Sequence, residues 1–215
     1  MNREECFKKI IEILSKSDFI ANNDSNDGRI NSTVDEKKII DILLASELNN
    51  IITIPSKRSS SDIIFSCDEE KIYINIKTTT GSTDNIFSKI GFLISFTNLL
   101  EEELPRNISW KEFAEKLFEN IQENNSDYYY LVINKITKQI LIRGLKQLNC
   151  LKTNPSNYIQ VNWDDEFRLE PANRTFNESF KYVSGILYKS LSKDIEGKNK
   201  VIDLFENIWY DTINI

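Results

Sequence analysis

Three residues stand out for chemistry in this sequence, an aspartate followed further along by an amide and an amine two positions apart: Asp62, Asn75 and Lys77. An aspartate offers hard oxygen to a magnesium ion, which takes few protein ligands and keeps water molecules for reaction. A lysine can orient or deprotonate such a water and offset the negative charge of a phosphate oxygen. The backbone carbonyl of Ile76 is an additional ligand candidate. These residue types therefore predict metal-assisted chemistry at a phosphate, provided that the fold brings them together.

A β-hairpin is the element that would bring them together. Branched and aromatic residues fill 62–67 and 71–78, and the acidic run 68–70 separates them as a turn. Side chains alternate between the faces of a strand, so the three isoleucines of the second strand share the face that enters a core. Asn75 and Lys77 share the opposite face, within reach of the aspartate on the neighbouring strand.

The hairpin resembles the catalytic motif of the PD-(D/E)xK nucleases, and within them the type II restriction endonucleases that cut to blunt ends. The matching residues are Ser61-Asp62, twelve intervening residues, Asn75-Ile76-Lys77, and then Thr78-Thr79-Thr80-Gly81. The resemblance implies a catalytic hairpin at 58–81 within a restriction-endonuclease-like core at about 33–190. It also implies Mg²⁺-dependent cleavage of double-stranded DNA by a homodimer at a palindromic site, as part of bacterial restriction–modification defence. The metal ligands would be Asp62, the side chain at 75 and the Ile76 carbonyl, and Lys77 would serve the attacking water.

The sequence departs from the family motif at its centre, where Asn75 stands in place of a second acid. An amide oxygen can ligate a cation but brings no negative charge, so both metal affinity and cleavage should be weaker. Three explanations are open: a natural variant, an acid relocated elsewhere in the chain, or a chain altered to bind DNA without cutting it. The alternative to an active nuclease is therefore a catalytically impaired DNA-binding module on a nuclease fold. A further alternative is a structural or protein-interaction domain whose hairpin only resembles the motif.

Glu36 is the first candidate for a relocated acid. It lies in the first turn of a helix predicted at 33–47, with Ser32 or Thr33 as the N-cap. A first-turn acid can simply complement the helix dipole. The resemblance offers a second interpretation, because the first core helix of the family often points a glutamate toward the metal site.

The resemblance also suggests which residues lie along DNA, although each of them has an alternative as a helix cap or solvated surface. A polar segment at 21–32 is predicted as a solvated loop, and the alternative is that its Asn residues and Arg29 contact base edges. An Asn-Pro turn and strand at 154–163 is the second piece of the resemblance. The polar, uncharged character of these segments suits an AT-rich site. The candidates are Arg58, Ser60, Thr79, Thr80, Ser82, Asn85, Lys89, Asn154, Gln160 and Arg174.

Composition excludes several other classes of chemistry. The chain of 215 residues has no histidine, which rules out serine–histidine triads, cysteine–histidine proteases and histidine-ligated zinc. Its three cysteines are far apart in sequence, which is typical of reduced thiols. The absence of a signal peptide or long apolar run predicts a cytoplasmic protein without membrane association. The net charge of −6 counts against nucleic-acid binding, unless the basic residues line one cleft.

The remaining patterns predict one α/β domain over 1–215, with a mixed central β-sheet flanked by helices. A run of tyrosines at 128–130 predicts a central strand rather than a base-stacking surface. Helices are predicted at 3–17, 82–100, 109–123, 176–192 and 198–212, and a second hairpin at 128–133 and 139–143.

Overall fold

The computed structural model describes residues 1–17, 28–68, 70–81 and 83–213, with side chains described to 203 except at 28–30. Its helices are α1 (Arg3–Lys16), α2 (Gly28–Leu44), α3 (Lys89–Phe96), α4 (Trp110–Asn120), α5 (Trp163–Glu166) and α6 (Phe176–Ile213). Its strands are β1 (Ile52–Thr53), β2 (Ile63–Cys67), β3 (Glu70–Thr79), β4 (Thr83–Asn85), β5 (Tyr128–Asn134), β6 (Ile140–Gly144), β7 (Leu151–Asn154) and β8 (Tyr158–Asn162). Within the described ranges, no helix is both long and apolar enough to span a bilayer.

The central sheet has five strands in the order β1-β2-β3-β5-β6. Strands β2 and β3 form the predicted hairpin and pair antiparallel, whereas β3 and β5 pair parallel across the long connection between them. Strands β5 and β6 form the second predicted hairpin. The fold is therefore α/β with a mixed central sheet, which confirms the predicted class.

The two faces of the central sheet bury different sets of side chains. The isoleucines of β3 are fully buried and pack with α1 and α2, where Ile10, Ile39 and Leu43 are also inaccessible to solvent. On the other face, Tyr128 and Tyr130 of β5 pack with residues of α3, α4 and α6. This packing confirms the central-strand prediction for the tyrosine run. Helices thus cover both faces, and only part of the second face is left for polar side chains.

A second sheet of three strands, β4-β8-β7, was not predicted as a separate unit. The predicted strand after the Asn-Pro turn is present as β8, but it pairs with β4 and β7 instead of joining the central sheet. The predicted helix at 82–100 is wrong over its first residues, because Thr83–Asn85 pairs with β8 as strand β4. The cap of α3 is Ser88, whose side chain accepts a hydrogen bond from the backbone of Gly91.

The helix boundaries differ from prediction at two other places. Helix α2 begins at Gly28, so Ser32 and Thr33 lie inside the helix and the prediction that one of them is its N-cap is wrong. The two predicted C-terminal helices are one continuous helix, α6. Two i,i+4 ion pairs, Asp194–Lys198 and Glu196–Lys200, bridge the predicted break and support helical backbone there. The capping boxes of α1 and of α4 are formed, and that of α4 confirms the predicted helix start.

Candidate active site

Asp62 is held at the start of the hairpin by backbone contacts to β3. Its N–H donates to the carbonyl of Ile74 at 2.9 Å, and its Oδ2 accepts from the N–H of Ile76 at 2.7 Å. Burial raises the pKa of Asp62, although the Ile76 N–H and the charge of Lys77 both work in the opposite direction. The carboxylate therefore points across β3 at the height of the Asn75-Ile76-Lys77 segment, as the hairpin prediction required.

Asn75 lies beside Asp62 and has an unsatisfied oxygen. Its Nδ2 donates to the carbonyl of Ser60 at 3.3 Å, which fixes the orientation of the amide. Its Oδ1 is buried and has no hydrogen-bond partner among the described residues. A buried polar atom without a partner costs stability unless a ligand or ion completes it. The site thus offers a carboxylate and an uncompensated amide oxygen, the hard donors that a magnesium ion takes.

Lys77 is the cation at the centre of this region. It lowers the pKa of three separate carboxyl groups, those of Asp62, Glu36 and Asp84, in each case against a larger upward effect of burial. Such an effect falls off with distance, so all three carboxyl groups lie near the ammonium group. The structure therefore brings together carboxyl groups from α2, from β4 and from the residue before β2 around one lysine of β3.

Glu36 reaches this cluster from helix α2. Burial and the neighbouring charge of Asp62 raise the pKa of Glu36 to about 7, and Lys77 partly offsets this rise. The preceding residue anchors the helix: fully buried Asp35 forms an ion pair with Lys135 at 2.7 Å and accepts a hydrogen bond from Thr78 at 3.3 Å. Because Asp35 ties α2 to the ends of β3 and β5, Glu36 is directed toward Asp62 and Lys77.

Asp84 is not among the predicted site residues, because its segment is predicted as the start of a helix at 82–100. It occupies the inward face of β4, opposite Val161 of β8. Burial raises its pKa, and both Lys77 and the indole of Trp163 act to lower it. The indole N–H of Trp163 is buried, and among the described residues no acceptor lies at hydrogen-bonding distance and angle from it. No local signal marks Asp84, because its place in the cluster depends on the pairing of β4 with a strand far along the chain.

A second residue missed from sequence, Glu101, positions the loop before Asp62. Its carboxylate accepts from the N–H of Ser60 at 2.6 Å, from the Ser60 hydroxyl at 3.0 Å and from the Ser61 hydroxyl at 2.5 Å. The carbonyl of Ser60 also accepts from the hydroxyl of Tyr128. These contacts fix the chain immediately before the aspartate, and they link the site to a cavity beside it.

That cavity, of about 700 Å³, lies between the loop at 53–60, the start of α3 and the segment 101–108. Three cationic side chains line it, Arg58, Lys89 and Arg106, together with Glu101 and Glu102. Two of these cations, Arg58 and Lys89, are among the predicted DNA contacts, whereas Arg106 was not predicted. The cations give this part of an acidic protein a local positive contribution next to the candidate site.

The predicted DNA contacts at the end of the hairpin and after it in the chain differ in their burial and in their hydrogen bonds. Lys89 donates to the carbonyl of Ile108 at 2.7 Å and lies 4.5 Å from the ring centroid of Trp110. Thr79 is buried and accepts from the N–H of Gly81, while Thr80 is exposed. Ser82, like most of the loop predicted at 21–32, lies outside the described residues, and the side chain of Arg29 is likewise not described.

The remaining predicted contacts divide between two surfaces. Asn85 and Gln160 join across β4 and β8, with the Gln160 Nε2 donating to the Asn85 Oδ1 at 2.9 Å. Asn154 caps the turn after β7 by accepting from two backbone N–H groups. Arg174 instead donates to the carbonyl of Leu148 at 2.9 Å and lies over Tyr182, so its side chain is committed to structural contacts.

Compared with protein-family models and with curated protein sequences, the chain matches none of them. In the part of the chain that the structure describes, no group of three or more His, Cys, Asp or Glu side chains is arranged to hold a metal ion.

Proposed function

We propose that this protein is a magnesium-dependent endodeoxyribonuclease that hydrolyses phosphodiester bonds of double-stranded DNA. The observation that carries the proposal is the meeting of Asp62, the unsatisfied amide oxygen of Asn75 and the ammonium of Lys77 on one face of the β2–β3 hairpin. Glu36 lies beside them and supplies a second acid from a helix, where the nuclease motif has it on the strand. The position of Glu36 therefore favours one of the three explanations for Asn75, namely that the second acid is relocated elsewhere in the chain.

Each residue of the site has a role in such a reaction. Asp62, the Oδ1 of Asn75 and the carbonyl of Ile76 would hold the cation, with Glu36 as a further ligand. When bound, a magnesium ion would supply Lewis acidity at the phosphate and an activated water. Lys77 orients the attacking water and offsets charge on the phosphate oxygens. In-line displacement at phosphorus would then leave 5′-phosphate and 3′-hydroxyl ends.

The proposed enzyme acts as a homodimer on a palindromic, AT-rich site, in the manner of a type II restriction endonuclease. Two-fold symmetry of the protein would match two-fold symmetry of the DNA. The mixed sheet with its hairpin and flanking helices is compatible with a restriction-endonuclease-like core. The cations along the cavity beside Asp62 provide a place for the DNA backbone.

A second candidate function is DNA binding without cleavage, and the neutral side chain of Asn75 favours it. Without a cation, Glu36 is partly protonated at neutral pH because its pKa is about 7. The site then has less negative charge for a metal than two strand acids would provide. In this case the protein would hold duplex DNA at any magnesium concentration and leave it intact.

The two functions are separated by incubating phage DNA and magnesium with the unaltered protein, with Asn75→Asp and with Lys77→Ala. We expect discrete bands, stronger for Asn75→Asp and absent for Lys77→Ala. The single variant Glu36→Gln, with Asn75 kept, should not cleave DNA. The single variant Glu47→Gln changes an exposed side chain that pairs with Lys9, and it should cleave as the unaltered protein does.

The outcomes of this digest are distinct. Intact DNA with every variant, together with duplex affinity in low salt and calcium, would favour the binding module. Intact DNA without any duplex affinity would rule out both functions. Equal cleavage by the unaltered protein and Asn75→Asp would contradict the role given to position 75.

A further inference from the structure

The outward face of the three-stranded sheet is lined with polar side chains. The register pairs Thr83 with Asn162, Asn85 with Gln160, and Gln160 with Lys152 on the next strand. Residues on the opposite face of these strands, including Ile159 and Val161 of β8, are buried against the core. Alternation along each strand therefore separates a structural face from a face of amides, a hydroxyl and one exposed lysine.

Two of these amides form a pair with a defined hydrogen-bonding pattern. The Nε2 of Gln160 donates to the Oδ1 of exposed Asn85 at 2.9 Å. The Oε1 of Gln160 and the Nδ2 of Asn85 have no hydrogen-bond partner within the described residues. If both amides were reversed, the pair would still leave one free acceptor and one free donor. The pair thus leaves one free donor and one free acceptor, on neighbouring side chains, whichever way the amides are assigned.

This pattern is complementary to one base edge in the major groove. Adenine presents an acceptor at N7 beside a donor at N6, whereas guanine presents two acceptors, N7 and O6. We propose that Asn85 and Gln160 together read one adenine in the major groove of the DNA that the active site cleaves. This inference rests on the proposed function and adds to it the residues that determine specificity.

The same face carries one exposed cation. Lys152 is exposed beside Gln160 and can contact a phosphate, which fixes register on a duplex. Asn162 on this face donates a hydrogen bond from its Nδ2 to the Oδ2 of Asp165 at 2.5 Å. The amide of Asn162 and the carboxylate of Asp165 therefore already have each other as partners. The amide pair lies on two neighbouring strands, β4 and β8, and the major groove admits a two-stranded β-ribbon.

The distance to the active site is also suitable. Asn85 is eight residues after Lys77 in the chain, so their Cα atoms are at most about 29 Å apart even if that segment were fully extended. One helical turn of DNA spans about 34 Å. The amide pair therefore lies within one helical turn of DNA from the active site.

The test begins with selection of bound duplexes from a random library by the unaltered protein in calcium. Synthetic duplexes of the selected site are then made with 7-deazaadenine at one adenine at a time, which removes N7 alone. At one adenine per half-site, we expect affinity to fall roughly five-fold to 150-fold for the unaltered protein. The same replacement should have no further effect on Asn85→Ala or Gln160→Ala. Gln122→Ala, on an exposed glutamine after α4, is the matched control and should behave as the unaltered protein does.

Each outcome decides between the claims. The inference is supported if the unaltered protein and Gln122→Ala bind the 7-deazaadenine duplex more weakly than the adenine duplex, while Asn85→Ala and Gln160→Ala bind both duplexes equally. If Asn85→Ala and Gln160→Ala distinguish the two duplexes as strongly as the unaltered protein does, the inference is overturned and the nuclease proposal still stands. Failure to select any sequence, with no affinity for duplex DNA, would remove the proposed function and the inference with it.

Discussion

Replacement of Asn75 by aspartate is the perturbation that most directly tests the candidate site. The amide donates to the carbonyl of Ser60, and an aspartate at this position would lose that hydrogen bond. It would also place a second carboxylate beside Asp62 in a partly buried site. Leaving a buried polar group without a partner costs about 1–3 kcal/mol, and more for a charged group. We therefore expect the metal-free Asn75→Asp protein to be less stable by about 3 kcal/mol, near the top of that range.

This loss converts into a measurable change in melting temperature. For a protein of this size, 1 kcal/mol corresponds to about 2–4 °C, so the variant in EDTA should melt roughly 6–12 °C lower. A ligand that binds only the folded state stabilises it by about 2.7 kcal/mol at one hundred times its Kd. Magnesium should therefore restore most of the loss in the variant, and it should raise the melting temperature of the unaltered protein much less.

The assay is a thermal melt of the unaltered protein, Asn75→Asp and Asn75→Ala, with magnesium titrated from EDTA to saturation. Asn75→Ala removes the amide without adding charge, so it should be destabilised but gain little from magnesium. An equal magnesium response in all three proteins would refute a cation site at position 75. So would an Asn75→Asp protein that melts at the same temperature as the unaltered one in EDTA.

Two further predictions concern buried acids. Asp35→Asn removes the buried carboxylate from its ion pair with Lys135, which is 10% exposed, so we expect a loss of about 3–5 kcal/mol in urea unfolding. Glu196→Gln, in an exposed ion pair, should unfold like the unaltered protein. The same result for Asp35→Asn would disprove the anchoring of α2. Burial raises the pKa of Asp127 to about 6, against an unfolded value of about 3.9, so the folded state holds this proton more tightly. The contribution of Asp127 to stability is therefore complete below about pH 4 and is lost as the pH rises through 6, by about 3 kcal/mol in total. Asp127→Asn should flatten the dependence of unfolding free energy on pH across this range, and an unchanged slope would contradict the assignment.

The hairpin could be predicted from sequence because its signals are local. Alternating isoleucines and a short acidic turn specify two strands, and the period of two residues then decides which face each side chain takes. Once the strands pair, Asn75 and Lys77 must share a face, and the aspartate must lie at the neighbouring strand's start. The placement of these three residues on one side of the hairpin could therefore be predicted without coordinates.

The rest of the cluster depends on contacts between distant segments. Asp84 sits in a stretch rich in helix-capping residue types, and only its pairing with β8 makes that stretch a strand. Glu101 is one of three consecutive glutamates, and nothing local distinguishes it from its neighbours. Its hydrogen bonds to Ser60 and Ser61 span 40 or more residues of chain. Tertiary pairing, which a single sequence does not display, assigned both residues to the site.

The acidic character of the chain is less of an objection to DNA binding once the charges are located. Asp62 and Glu36 contribute to the net charge of −6, yet both lie near Lys77, and a divalent cation bound in the proposed site would offset their charge. Interactions between exposed charges are largely screened beyond about 10 Å, so local charge matters more than the total. A duplex at this site would be repelled by the carboxylates before metal binds and accepted afterwards. Metal and DNA should therefore increase each other's affinity, because a coupling between two sites is reciprocal.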